Sequence, residues 1–286
     1  MAREEVTVGI IGLGLIGGSV ALKLREAGFA DRFLGFDNNE THWDRALALG
    51  LIDKKATIKE LVKSSNIVLI AIPVNHALVI LPEVLSNISE DSLVLDFGST
   101  KHKISQLADS FQNRHQFVAC HPIAGTENTG PDAAFASLYE DKVNIICDKK
   151  NSSEVALKIA EDLTETLGLR NKYMTSEAHD RHIAYVSHMS HVSSFILGQT
   201  VLEVEQNEDN IFDMAGSAFA STVRLAKSSP EMWAPIFSEN ADNVLQVVDH
   251  YIKNLNRFRT LIEEKNEAEL KKIMSDTNVI RKVLGE

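Results

Sequence analysis

Val6 to Ser19 reads VTVGIIGLGLIGGS. A β-branched run, Val6 to Ile11, is followed at once by Gly12-Leu13-Gly14-Leu15-Ile16-Gly17, and an apolar helical pattern continues through Val20, Ala21 and Leu24. Strand, three glycines at G-x-G-x-x-G spacing, then helix is the order a phosphate-cradling turn needs. Gly12 lets the chain turn tightly, Gly14 lets the backbone approach a pyrophosphate, and Gly17 lets the helix pack close on the strand. The N–H groups of the first helical turn, at Leu15, Ile16 and Gly17, then face the anion together with the helix dipole.

A second apolar run, Arg32 to Phe36, ends in Asp37. An acidic residue at the tip of the second strand is placed to take both ribose hydroxyls of an adenosine. Its charge repels a 2′-phosphate, so NAD rather than NADP is the expected cofactor. The competing reading is that Asp37 caps the next helix or sits in a turn with Asn38 and Asn39.

From this turn to about Tyr173 short apolar runs alternate with helical stretches: Phe33–Phe36, Ile67–Ile72 ended by Pro73, Leu93–Phe97, Phe117–Cys120 and Val143–Cys147 read as strands. Such alternation means βαβ units and a doubly wound, mostly parallel sheet of Rossmann type, covered on both faces. Ligands bind beyond the carboxyl ends of such strands. That directs attention to Gly12–Gly17, Asp37, Pro73–Asn75, Gly98–Lys101 and His121–Glu127, with Pro73 on the cofactor side. After Thr175 the alternation stops. Ser176–Leu202 reads as one long helix with Ser176 as N-cap, followed by helical stretches over Asp209–Ala226, Met232–Arg259 and Asn266–Val283. Two domains are expected: residues 1–173 for the dinucleotide and an all-helical 174–286 for substrate and dimerisation, the long apolar faces of the latter completing their core in a second copy.

The 286 residues are 44% apolar, ample for a sizeable core, and carry a net charge of −11. That charge argues against nucleic acid or an anionic membrane surface as partner, but not against a small anionic substrate in a local cationic pocket. Cys120 and Cys147 each lie inside an apolar run, with no CxxC pattern, so neither a disulfide framework nor a zinc site is expected. The opening MAREEVTVGI lacks the pattern of a signal peptide, and no apolar run reaches the length of a membrane span, so a cytoplasmic protein is expected.

Four stretches bear groups suited to chemistry. In Asp96-Phe97-Gly98-Ser99-Thr100-Lys101, Ser99 is either an N-cap or a hydroxyl beside the cofactor, or both. In His121-Pro122-Ile123-Ala124-Gly125-Thr126-Glu127, the histidine stands at the carboxyl end of a strand, where the sheet opens. A dehydrogenase acting on an alcohol needs a base for the hydroxyl proton, and histidine titrates in the right range. His179, His182, His188 and His191 form two i,i+3 pairs, each sharing a helix face. No carboxylate or cysteine stands at a convincing ligand spacing, so one or two of the four are expected to face substrate rather than a metal. Arg224, flanked by apolar residues, is either a packed surface arginine or a bidentate fork for a carboxylate.

The combination GLGLIGGS, Asp37, FGSTK, HPIAGTE, SHMSH and VRLAKSSPEMW resembles the prephenate/arogenate dehydrogenases of tyrosine biosynthesis over nearly the whole chain. The resemblance implies an N-terminal dinucleotide-binding domain and a helical domain forming an intertwined homodimer. It implies oxidative decarboxylation of prephenate, or of arogenate, by NAD. Carried over by motif, His121 takes the proton of the ring 4-hydroxyl and Ser99 holds His121 and that hydroxyl in register. Arg224 and His191 bind substrate carboxylates, Thr126 and Glu127 line or gate the pocket, and Trp233 closes it. The sequence departs from the family where Ala218-Phe219-Ala220-Ser221 replaces a Gly-Phe-(Arg/Lys)-Asp pattern, so any polar contact the family makes from those positions is not carried over. Neither a fused mutase nor a sensor domain is expected, so inhibition by tyrosine would act at the active site. A β-hydroxyacid dehydrogenase would carry a lysine on the long helix, where Ser187–Gly198 has none. A non-catalytic NAD-binding regulator would have no need of His121, Ser99 and Arg224 together.

Overall fold

Thr7–Ile11 (β1) is buried along its whole length, which explains why the run is apolar without alternation: both faces of a parallel strand are covered. In the computed structural model, which describes residues 5–205 and 214–284, β1 is joined by β2 (Arg32–Phe36), β3 (Lys54–Lys55), β4 (Ile67–Ile70), β5 (Leu93–Asp96), β6 (Phe117–Pro122), β7 (Val143–Cys147) and β8 (Arg170–Met174). They form one sheet of order β3-β2-β1-β4-β5-β6-β7-β8. All neighbours run parallel except β6 and β7, which pair antiparallel, Cys120 opposite Ile146. The chain reverses its winding direction at β1, between β2 and β4, the place where a doubly wound sheet opens a crevice beyond its strand ends.

The helices α1 (Leu15–Glu26), α2 (Glu40–Ala48), α3 (Ile58–Ser64), α4 (Val74–Asn87), α5 (His102–Asp109) and α6 (Glu154–Thr166) connect these strands. They divide the core in two. Val20 and Leu24 of α1 and Leu163 of α6 pack with Val8, Ile10 and Leu69 on one face. Leu61 of α3, Leu81 and Val84 of α4 and Ile104 of α5 pack with Ile11, Val68 and Ile70 on the other. Each fully buried side chain of this size stabilises the fold by roughly 2 kcal/mol relative to exposure.

Beyond β8 the chain is helical among the described residues. α7 (Ser176–Ile183) is followed by a π-helical turn over Ala184–His188 and by α8 (Met189–Glu205). Thr175, not Ser176, is the N-cap, its hydroxyl accepting from Ala178 N at 3.2 Å. The expected single helix runs on through this wide turn, which adds a residue and re-aims everything after it. α9 (Ser217–Thr222) leads to a 3₁₀ turn over Arg224–Lys227; the expected helix over Asp209–Ala226 begins in residues outside those described. The expected helix over Met232–Arg259 is two helices, α10 (Pro230–Glu239) and α11 (Ala241–Glu263), parted at Asn240. α12 (Glu267–Thr277), capped by Asn266, and α13 (Ile280–Leu284) complete the chain.

Compactness divides the chain into Met1–Ala241 and Asp242–Glu286. Within the second unit, α11 leaves Leu245, Ile252, Leu255 and Ile262 exposed, spaced seven, three and seven residues apart on one stripe. No described helix is long and apolar enough to cross a membrane.

Candidate active site

The glycine turn is built as its spacing predicts. Gly12 has a φ of 97°, a left-handed conformation that disfavours other residues, and a Cβ there would meet the Ala71 carbonyl. A Cβ on Gly17 would run into the Gly12 carbonyl and the Ile10 side chain, so this glycine sets how closely α1 sits on β1. At Gly14, by contrast, a Cβ would find nothing nearer than Gly130 N, 3.9 Å away. Gly14 is also the N-cap of α1 and offers no side-chain cap, leaving the first-turn amides of Leu15, Ile16 and Gly17 for an anion.

Asp37 stands just past β2. Its carboxylate accepts from Leu13 N at 2.9 Å and from Asn39 N at 2.9 Å, so it ties the glycine turn to the second strand. It does not cap α2. The Asn39 side chain does, accepting from Thr41 N and His42 N. Pro73 is the N-cap residue of α4 beyond β4. These features fit a dinucleotide: open space at Gly14, uncapped amides, and a carboxylate at the tip of β2.

The segment after His121 returns over this turn. Phe135 N donates to Ser19 Oγ at 3.0 Å, the Tyr139 hydroxyl donates to Ile16 O at 2.7 Å, and Arg45 pairs with Asp132. Gly130 thereby lies against Gly14. The loop that begins at the candidate base is thus anchored on the helix that would receive the pyrophosphate.

His121 sits near the end of β6, parallel to β5 but antiparallel to β7, so the strand that carries it is parallel to its neighbour on one side only. Its Nδ1 lies 2.8 Å from Nε2 of His179 on α7. His179 Nδ1 in turn lies 2.7 Å from Asp180 Oδ1. Asp180 also accepts from Lys101 N at 2.7 Å and from His102 N at 2.8 Å. A carboxylate from α7 therefore caps α5, in place of the expected Ser99 cap; Ser99 is half-buried in the turn before it. Lys101 is fully buried, its ammonium donating to Asp96 and to Cys120 O, and so pins the ends of β5 and β6 together.

Burial, with His179 and Lys101 nearby, holds His121 well below the ordinary histidine range. Burial also holds His179 low, against the pull of Asp180. Burial alone would raise the Asp180 carboxyl, but the hydrogen bonds from His179, His102 and Lys101 bring it below the usual carboxylate range. At neutral pH the set is one carboxylate and two uncharged imidazoles.

Past the π turn the histidines face a different neighbour. His191 stacks on Trp233, centroids 3.4 Å apart, with Nδ1 3.0 Å from Ser187 O. His188 is buried edge-on to the same indole, beside Asn240 Nδ2 at 3.2 Å, and burial pushes it down to about 4. His182 is exposed, so the first i,i+3 pair does not share an environment. Ser194, one turn after His191, donates to Thr222 O and accepts from Ala226 N, both at 3.0 Å, which holds the Arg224 turn on α8. Arg224 is exposed, 4.0 Å from Glu127 Oε2. Thr126 is exposed too, accepting from Asn128 N at 3.2 Å. No cluster of three or more His, Cys, Asp or Glu able to hold a metal occurs among the described residues.

Two groups in this constellation carry no assignment from the sequence. His179 is one of four histidines with nothing to rank it, and Asp180 is an ordinary helix carboxylate. The adjacent His-Asp pair just inside a helix start is the one local signal for them.

The fold and these residues define a two-part dinucleotide-binding dehydrogenase. Residues 20–173 match the family model described as prephenate dehydrogenase, nucleotide-binding domain, and residues 175–276 match prephenate dehydrogenase, dimerization domain. The chain belongs to the prephenate dehydrogenase family. It is 34% identical over 263 residues to the cyclohexadienyl dehydrogenase of Zymomonas mobilis, covering 91% of this chain and 89% of the relative. It is 32% identical over 277 residues to the prephenate dehydrogenase of Bacillus subtilis, covering 94% and 74%. The crystal structure of prephenate dehydrogenase from A. aeolicus in complex with hydroxyphenyl propionate and NAD+ superimposes with a TM-score of 0.90 at 32% identity, covering 99% of this chain and 100% of that one.

Proposed function

We propose that this protein catalyses the NAD-dependent oxidative decarboxylation of prephenate to 4-hydroxyphenylpyruvate, CO₂ and NADH. The observation that carries this beyond family membership is the loop from His121 to Gly130. It starts at a neutral imidazole and ends against Gly14 of the dinucleotide turn. A base and a cofactor turn are thus joined by one short segment.

NAD, when bound, supplies the acceptor for the hydride lost from C4. Gly12, Gly14 and Gly17, with the amides of Leu15 and Ile16, hold its pyrophosphate; Asp37 takes the ribose hydroxyls; Pro73 lines its path. His121 accepts the C4 hydroxyl proton as the hydride leaves, and Ser99 helps orient that hydroxyl. The ring carboxylate departs as CO₂, its bond pair completing the aromatic ring as a phenolate, to which His121 returns the proton to give the phenol of the product. Aromatisation makes the step irreversible, so a base of moderate strength suffices. Arg224 and His191 bind the substrate carboxylates. Trp233 covers the ring; its indole N–H is buried with no hydrogen-bond partner among the described residues. Thr126 and Glu127 border the entrance.

Arogenate is the second reading. The Glu127 carboxylate beside Arg224 provides a negative group where an amino group would be received. The family boundary near residue 174 supports a substrate and dimerisation domain over 174–286, and a homodimer through it. Two free, buried thiols suit a reducing compartment, and the cytoplasm is the proposed location. The test is purified protein with NAD and either prephenate or arogenate, following NADH absorbance, and again with NADP. NADH from prephenate is expected; no NADH from either substrate overturns the assignment, and equal rates with NADP overturn the role of Asp37.

A further inference from the structure

Asp180, His179 and His121 form a chain whose direction is decided by groups that cannot reverse. Both Asp180 oxygens receive backbone N–H groups, from Lys101 and His102, and an amide N–H only donates. The carboxylate is therefore an acceptor throughout, and His179 Nδ1, 2.7 Å from it, must carry a proton. A neutral imidazole has one N–H, so His179 Nε2 is left as a lone pair. His121 Nδ1, 2.8 Å from that lone pair, must then be the donor. Its other nitrogen, Nε2, is left unprotonated. The reverse arrangement requires a charged His179, which burial opposes.

We propose that His179, backed by Asp180, is a positioning residue that locks His121 as the Nδ1–H tautomer with Nε2 free to accept a proton. The inference rests on His121 being the base of the reaction proposed above. It gives a reason for two buried polar groups that touch neither the dinucleotide turn nor Arg224. An unrestrained imidazole prefers the opposite tautomer, with its proton on Nε2, and such a ring could not accept a hydroxyl proton there. When His121 becomes an imidazolium, its Nδ1–H bond to His179 strengthens, and the charge is balanced by Asp180 two hydrogen bonds away. The charged and titratable groups around His121 are Lys101 before α5, Asp96 at the end of β5, His179 and Asp180 on α7, and His188 in the π turn. Lys101 and Asp96 neutralise each other, which leaves Asp180 as the anion able to answer a proton on His121.

The test combines a spectrum with kinetics on the full chain. In ¹⁵N-histidine-labelled protein without substrate, the resonances lost in His121→Asn identify His121. The wild type should show Nδ1 protonated and Nε2 not. His179→Ala should shift His121 towards the Nε2–H form and lower kcat about a hundredfold, with the KM for substrate changed less than about threefold. His179→Gln can place its carbonyl oxygen where Nε2 stood, and should restore the tautomer and about a tenth or more of wild-type kcat. An Nε2–H tautomer in the wild type, an unchanged kcat in His179→Ala, or a His179→Gln no better than His179→Ala overturns the proposal. If His179→Ala fails to fold, the wild-type spectrum and His179→Gln decide. A wild type with the predicted tautomer but no activity on prephenate or arogenate sinks the proposed reaction and leaves the tautomer lock standing.

Discussion

An imidazole that takes a proton at neutral pH has to be uncharged beforehand, and burial ensures that at His121. Replacing it with Asn, which keeps a polar side chain but no basic nitrogen, should lower turnover by about a hundredfold or more while NAD binding persists. Wild-type turnover would remove His121 as base. Arg224 is exposed and pairs only loosely with Glu127, so it is available to a substrate anion in ground and transition states alike. Arg224→Ala should raise KM more than it lowers kcat; an unchanged KM would take Arg224 out of the pocket. His188 bears on stability rather than chemistry. Its folded value of about 4 lies below the unfolded value of about 6.5, so the neutral ring favours the fold at higher pH. That stability is complete above about pH 6.5 and is lost as pH falls towards 4, at up to about 1.4 kcal/mol per pH unit. Urea unfolding across this range should give a flatter pH dependence for His188→Gln than for the wild type.

Among the elements, the strand–turn–helix at Gly12–Gly17 separates two uses of glycine. At Gly17 the missing Cβ lets α1 rest on β1, and the colliding atoms include backbone, which cannot move aside. At Gly14 the missing Cβ borders open space. Gly17→Ala should therefore destabilise the protein by several kcal/mol, about 1–3 from overpacking alone. Gly14→Ala should leave the melting temperature nearly unchanged and weaken NAD binding by about tenfold or more, about 1.4 kcal/mol. Calorimetry of both variants checks the distinction; equal losses of stability would contradict it. The π turn at Ala184–His188 works at the same scale. It lets one continuous run of helix present His179 to His121 and His188 and His191 to Trp233.

At the level of the whole molecule, the stripe Leu245, Ile252, Leu255 and Ile262 on α11 is apolar at positions the chain leaves exposed. A seven-three-seven spacing is that of a helix seam seeking a partner helix. With the match to a dimerization domain, this predicts a dimer in sedimentation. Ile252→Asp with Leu255→Asp should shift it to monomer; a wild-type monomer would show that the stripe is not the interface.

The sheet, the glycine turn and the places of Asp37 and His121 at strand ends were legible in the sequence because each rests on local pattern: apolar runs of strand length, glycines at fixed spacing, a charged or basic residue closing an apolar run. The antiparallel β7, the π turn and the cap of α5 were not, since each depends on a partner far along the chain. Ser99 reads as a cap because it precedes a helix, yet Asp180, seventy-eight residues beyond His102, takes that place. His179 shows the same limit most sharply. Four histidines within one helical stretch are equivalent by spacing, and only the packing of α7 against β6 sets one of them 2.8 Å from His121. Periodicity and turn chemistry are properties of neighbours in sequence, and they determined the fold and the cofactor turn. The protonation state and tautomer of a buried imidazole are properties of neighbours in space, and only the tertiary structure could decide them.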